Sequence, residues 1–171
     1  MKVIGLAGWS GAGKTTLLTR VIPHLLAKGL RVSVIKHAHH DFDVDLPGKD
    51  SWVHRQSGAV EVMVSSTRRW ALMHELRGVN EPELPELLAK MSRVDLVVIE
   101  GFRSEPHCKI EVHRAANGKP LLYLADATIV GIVSDVEVTT SLPVAHLDDI
   151  HAIASMILAS AVSIEDVVRR L

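Results

Sequence analysis

Gly8-Trp9-Ser10-Gly11-Ala12-Gly13-Lys14-Thr15 follows a short apolar run, Val3-Ile4-Gly5-Leu6-Ala7, and opens a segment of helical spacing. A glycine, four further residues and then Gly-Lys-Thr form a pattern in which each residue type has a mechanical task. Glycine lets the backbone curl until successive N–H groups point inward at phosphate oxygens. A helix that starts where the curl ends aims its free N–H groups and the positive end of its dipole at the same place. Lys14 adds a point charge for the β- and γ-phosphates of a nucleotide, and the Thr15 hydroxyl can coordinate Mg2+. Gly8, Ser10, Gly11, Ala12, Gly13, Lys14, Thr15 and Thr16 are therefore the candidate phosphate-binding residues. A chance glycine-rich turn would need no strand before it and no helix after it, and here the sequence predicts both.

Working outward, Thr15 to Lys28 places Leu17, Leu18, Val21, Ile22, Leu25 and Leu26 on one helical face, with Gly29 as a stop. Pro23 inside that pattern removes one helical hydrogen bond. Leu30 to Lys36 reads as a second strand. Strand, helix and strand together make a βαβ unit, which requires a parallel sheet. Asp50 to Ser57 reads as a short helix with Asp50 as its N-cap. Val60 to Ser65 and Trp70 to His74 flank a polar turn and form a hairpin.

Pro82 to Met91 is a helix opened by prolines, and Leu96 to Ile99 is a buried central strand. Lys109 to His113 alternates in polarity and reads as an outer strand, Ile129 to Val133 as the last buried one. Leu147 to Leu158 and Ser163 to Leu171 complete the chain as helices. The expected architecture is α/β, a P-loop NTPase fold in one domain over residues 1–171. It has a mostly parallel central sheet flanked by helices, and a peripheral hairpin.

Composition narrows the functional classes. The formal net charge of the 171 residues is -1, without the basic excess of a nucleic-acid binder. No apolar run reaches the roughly 18 residues of a membrane span. A single cysteine, Cys108, excludes an intrachain disulfide and a Cys-pair zinc site, and fits a reducing compartment. The expectation is a cytoplasmic protein that engages neither nucleic acid nor membrane.

Ligands of open parallel sheets sit at the carboxyl ends of the strands, and candidate acids are sought there. Leu96-Val97-Val98-Ile99 ends in Glu100-Gly101, which places Glu100 to hold Mg2+ or its water, while Asp95 opens the strand at the far end. Asp45 and Asp50 follow the second strand and could bind Mg2+ or orient water, as switch segments do. Asp135, after the strand ending at Val133, could accept from guanine N1–H and N2–H. The Asn-Lys-x-Asp element that reads guanine in many GTPases is absent, so the motifs alone specify a nucleoside triphosphate. No arginine that could act in cis on the transferred phosphate is identifiable, and slow turnover is expected.

Several longer segments resemble one known family. They are Ile35-Lys36-His37-Ala38-His39-His40-Asp41, Asp45-Leu46-Pro47-Gly48-Lys49-Asp50-Ser51 and Glu100-Gly101-Phe102, with Trp9 and Arg69-Trp70-Ala71-Leu72-Met73. All are similar to the molybdopterin-guanine dinucleotide biosynthesis protein B (MobB) family, and the likeness runs from Val3 to about Asp148. The resemblance implies a GTP-binding, weakly hydrolysing homodimer that assists a guanylyltransferase in attaching GMP to molybdopterin. It makes GTP the nucleotide, the molybdenum cofactor guanylyltransferase the partner and molybdopterin a further candidate ligand. Arg103 stands where relatives often carry lysine, which keeps the charge.

Other polar clusters are weaker signals. His37, His39 and His40 with Asp41, Asp43 and Asp45 invite a transition-metal reading, but their spacing matches no standard zinc pattern. Arg68 and Arg69 on a hairpin turn read as solvated charge. A small-molecule kinase and a nucleotide-dependent metal chaperone are the competing classes. The first lacks an evident Arg-rich lid, and the second would depend on the histidine cluster.

Overall fold

The apolar run that opens the chain forms β1 (Lys2–Ala7), the helix behind the glycine-rich loop is α1 (Lys14–Ala27), and β2 (Val32–Lys36) completes the βαβ unit. Then follow α2 (Asp50–Gln56), β3 (Glu61–Ser65), β4 (Trp70–His74), α3 (Leu84–Lys90), β5 (Leu96–Glu100) and β6 (Lys109–His113). The chain ends with β7 (Ile129–Ser134), β8 (Val144–His146), α4 (Ile150–Ser160), β9 (Val162–Ser163) and α5 (Ile164–Arg170). This computed structural model describes residues 1–38 and 42–170, and the chain divides into two units, Met1–His37 with Leu84–Leu171, and Ala38–Glu83. His39, His40, Asp41 and Leu171 lie outside the described residues. No helix among the described residues is long and apolar enough to cross a membrane.

In the first unit the strand order is β2-β5-β1-β6-β7-β8, and every neighbouring pair in that path is parallel. β5 runs along one edge of β1; on the other edge β6 pairs with Gly5–Ala7 and the short antiparallel β9 with Lys2 and Val3. Alternation along the strands supplies two faces. Ile4, Leu6, Leu96 and Val98 pack with Leu17, Leu18, Val21 and Leu25 of α1 and Ile153 and Ile157 of α4. Val3, Val97 and Ile99 face the other way, onto Leu84 and Leu88 of α3 and Val167 of α5. Fully buried Leu and Ile side chains such as these each contribute about 2 kcal/mol of hydrophobic stabilisation.

Three expectations change. β6 is an interior strand, between β1 and β7, although its polarity alternates. Its charged residues are buried but satisfied: Glu111 accepts from the N–H groups of Leu122 and Tyr123 at 2.7 and 3.0 Å, and Lys109 donates to Thr128 Oγ1 at 2.7 Å. Charge-bearing side chains with such partners tolerate burial that bare ones do not. The sheet also continues past β7 into β8, whose three residues are too short to register as an apolar run. Asp50 is the first helical residue of α2, not its N-cap; Lys49 takes the cap position with no side-chain hydrogen bond.

His107 lies over β1 at Gly5. A Cβ there would fall 2.3 Å from His107 Nε2 and 3.0 Å from Lys109 Cγ, so this strand position excludes any side chain.

The second unit consists of α2 and the antiparallel hairpin β3–β4, whose register pairs Ser65 with Trp70 and Glu61 with His74. Its centre is Arg55, buried on α2. The guanidinium donates to both oxygens of Asp43 at 2.8 Å, to Glu75 Oε1 at 2.7 Å and to Asp45 Oδ2 at 3.4 Å. Hydrogen bonds from Arg55 hold the Asp43 carboxyl below the ordinary carboxylate range. A planar fork of N–H donors suits several carboxylates at once, which a lysine could not serve.

Candidate nucleotide-binding site

Because the path strands are parallel, their carboxyl ends share one rim, and Gly8, His37, Gly101, Arg114, Asp135 and Leu147 follow them there. The loop after β1 is curled by glycines at φ 146°, 80° and 91° at positions 8, 11 and 13, all in the region that L side chains rarely adopt. Close approach adds a second constraint at Gly8, where a Cβ would meet Val112 O at 2.5 Å. Ala12 N–H closes the curl onto Trp9 O at 3.1 Å. Gly13 is the N-cap of α1 and supplies no side-chain hydrogen bond. First-turn N–H groups without an intrahelical acceptor are what an anion at this end uses.

Lys14 folds back across the curl and donates to Gly8 O at 2.7 Å and Trp9 O at 3.1 Å. Burial pulls its ammonium below the ordinary lysine range, Glu100 pulls it back up, and Lys36 adds repulsion. Thr15 Oγ1 donates to Glu100 Oε1 at 2.9 Å, and Lys36 Nζ stands 4.0 Å from the same oxygen. The hydroxyl after the lysine and the acid closing β5 therefore converge. Gly101, at φ 100°, turns the chain sharply after that acid, and a Cβ on it would lie 2.6 Å from His37 Cβ. The His37 ring packs on Phe102, centroids 4.5 Å apart.

Asp135 also reaches this rim. Its Oδ1 accepts from Ala115 N–H at 2.8 Å, and its Oδ2 lies 3.9 Å from Arg114 Nη1. Arg114 and Asn117 belong to no sequence motif and join the rim through the fold alone. A Cβ on Gly13 would lie 3.4 Å from Arg114 Nη2, and Asn117 Nδ2 donates to Ser10 O at 3.2 Å. The signal that could have found them is their place directly after β6, which its alternating polarity disguised as an outer strand. Trp9 is tied to the same segment by Nε1–H to Pro120 O at 2.9 Å, with Arg103 and Lys119 at 4.9 and 5.8 Å from its ring centroid.

Asp45 and Asp50 belong to the second unit. Asp45 Oδ1 accepts from Ser51 Oγ at 2.9 Å and from Leu46 N–H at 3.0 Å, in addition to the Arg55 contact, while Asp50 is exposed. Of the histidine cluster, His39, His40 and Asp41 are outside the described residues. Among the described residues no group of three or more His, Cys, Asp or Glu is placed to hold a metal ion.

Residues 3–135 match the family model described as MobB, molybdopterin guanine dinucleotide synthesis protein B. The chain belongs to the MobB family. The MobB match takes in the whole loop, Glu100, Arg114, Asn117 and Asp135. A molybdopterin-guanine dinucleotide biosynthesis adapter protein of Escherichia coli (strain K12) is 40% identical over 159 residues, covering 91% of each chain. Its counterpart in Haemophilus influenzae is 45% identical over 122 residues, 70% of this chain and 67% of the relative. A crystal structure of molybdopterin-guanine biosynthesis protein B superposes with a TM-score of 0.73 at 29% identity, over 92% of this chain and 98% of that one. The architecture is thus the P-loop fold of MobB proteins, with a mostly parallel sheet flanked by helices and a small hairpin.

Proposed function

We propose that this chain is a cytoplasmic, GTP-binding adapter of molybdenum cofactor biosynthesis. It assists a guanylyltransferase in attaching GMP to molybdopterin and hydrolyses GTP only weakly. The observation that carries the reading is the convergence of Lys14, Thr15 and Glu100 around a preformed phosphate loop in a chain of the MobB family. The loop N–H groups and Lys14 bind the phosphates. Mg2+ suits the hard oxygens of Thr15 and Glu100, which would hold it, and it would neutralise charge on the β- and γ-phosphates.

Glu100 is the first candidate for the acid that steadies the hydrolytic water, since it already stands beside Thr15. Asp45 and Asp50 are the second. Guanine specificity rests on the family, with Asp135 the candidate group for the base.

The reading includes a homodimer. Met63, Val64, Trp70 and Leu72 of the hairpin are exposed, and β3 and β4 pair only with each other among the described residues. Open strand edges with apolar faces favour pairing with a second copy, and a two-fold axis closes such a contact.

Co-purification with a molybdenum cofactor guanylyltransferase, with and without GTP, tests the adapter role. A complex strengthened by GTP is expected. Absence of a complex under both conditions would contradict it.

A further inference from the structure

A cation beside the amino end of a helix is electrostatically unfavourable on its own, because that end already carries positive partial charge. Arg114 is held in that position. β6 pairs with β1 through Ala7↔Glu111 and runs on past the end of β1, which carries Arg114 alongside the loop. Its Nη2 and Nε fall 3.4 and 3.8 Å from where a Cβ on Gly13, the N-cap of α1, would sit. Lys14 adds a second cation one residue on.

Nothing in the core demands this placement. The Arg114 side chain is 42% exposed, and its ion pair with Asp135 is a single long contact of 3.9 Å. Exposed pairs of that kind add little to stability. The surrounding contacts instead fix where the segment goes. Asp135 accepts from Ala115 N–H, the turn Ala115–Asn117 follows, and Asn117 fastens to Ser10 O inside the loop. An anion in the curl would turn the clustered positive charge from a liability into a binding site.

We propose that Arg114 is a phosphate ligand acting in cis, from the flank of β1 opposite to Glu100, and that Asp135 is the residue that positions it. This rests on the nucleotide-binding reading above. The chemical class of ligand is the phosphate chain of a nucleoside di- or triphosphate, whose oxygens match the planar guanidinium fork in a way that an ammonium cannot. Asp135 then acts by aiming the arginine, a role that takes the place of the base contact for which it was the candidate above.

The test is titration of a fluorescent GTP analogue into wild type, Arg114→Ala, Arg114→Lys, Asp135→Asn and the double variant Arg114→Ala/Asp135→Asn, at several salt concentrations. Arg114→Ala is expected to weaken binding about 10- to 100-fold, the range of a charged hydrogen bond, with an unchanged melting temperature. The salt dependence should flatten, and Arg114→Lys should recover part of the loss. Asp135→Asn should weaken binding in wild type and add nothing once Arg114 is gone.

Unchanged affinity and salt dependence in Arg114→Ala would overturn the proposal. An Asp135→Asn loss that persists in the double variant would overturn the positioning role and assign Asp135 to the base. Failure of wild type itself to bind would strike the nucleotide reading instead, so the two failures are distinct.

Discussion

The Thr15 hydroxyl donates a 2.9 Å hydrogen bond to Glu100 Oε1, joining the first turn of α1 to the carboxyl end of β5 across 85 residues of sequence. Register makes this contact possible. β1 and β5 pair as Leu6↔Glu100, so the acid stands level with the residue two before the loop's first glycine, Gly8, and the helix opening at Lys14 returns over it. A hydroxyl and a carboxylate oxygen held this close form a ready pair of hard ligands.

Glu100→Gln keeps the side-chain shape and removes the charge. Single-turnover hydrolysis at saturating nucleotide should fall at least about 10-fold, while affinity changes less, because the loop and Lys14 carry binding. An unchanged rate would move the acidic role to Asp45 or Asp50.

His107 makes stability pH-dependent. It is 1% exposed, and neither ring nitrogen has a hydrogen-bond partner among the described residues. Burial, with repulsion from Lys109, pushes its pKa down to about 4. Between that value and the ordinary value near 6.5 the unfolded chain binds a proton that the folded chain does not, so stability rises with pH across this window and is lost on acidification. From pH 7 to pH 5 wild type should lose about 2 kcal/mol more than His107→Leu. Urea unfolding at the two pH values measures it, and parallel losses in both proteins would refute the assignment.

Leu72, 44% exposed on β4, tests the assembly. Wild type should scatter light as a dimer at micromolar concentration, and Leu72→Asp should shift it to monomer by placing a charge in an apolar contact. A monomeric wild type would exclude the dimer, and a dimeric Leu72→Asp would exclude this hairpin as its main interface.

Legibility in the sequence followed how local each signal was. The loop from Gly8 to Thr15 could be read because strand, glycines and helix are contiguous, and Glu100 because it closes an unbroken apolar run. β6 was misplaced because Lys109 and Glu111 find partners at Thr128, Leu122 and Tyr123, which only the folded chain brings near. That single misreading also hid Arg114 and Asn117. The Arg55 network was equally invisible, since Asp43, Asp45 and Glu75 converge on it only through tertiary placement.

The central claim is that the curl between β1 and α1 holds the phosphates of a nucleotide, and Lys14 is its most exacting test. The Lys14 ammonium spans Gly8 O and Trp9 O and contributes to no apolar cluster among the described residues, so Lys14→Ala should fold with a circular dichroism spectrum and melting temperature close to wild type. Equilibrium titration with a fluorescent GTP analogue is the measurement. Tight binding by wild type and a loss of about 100-fold or more in folded Lys14→Ala are expected, because the half-buried ammonium that pairs with phosphate is removed. Wild-type affinity in the folded variant would contradict it.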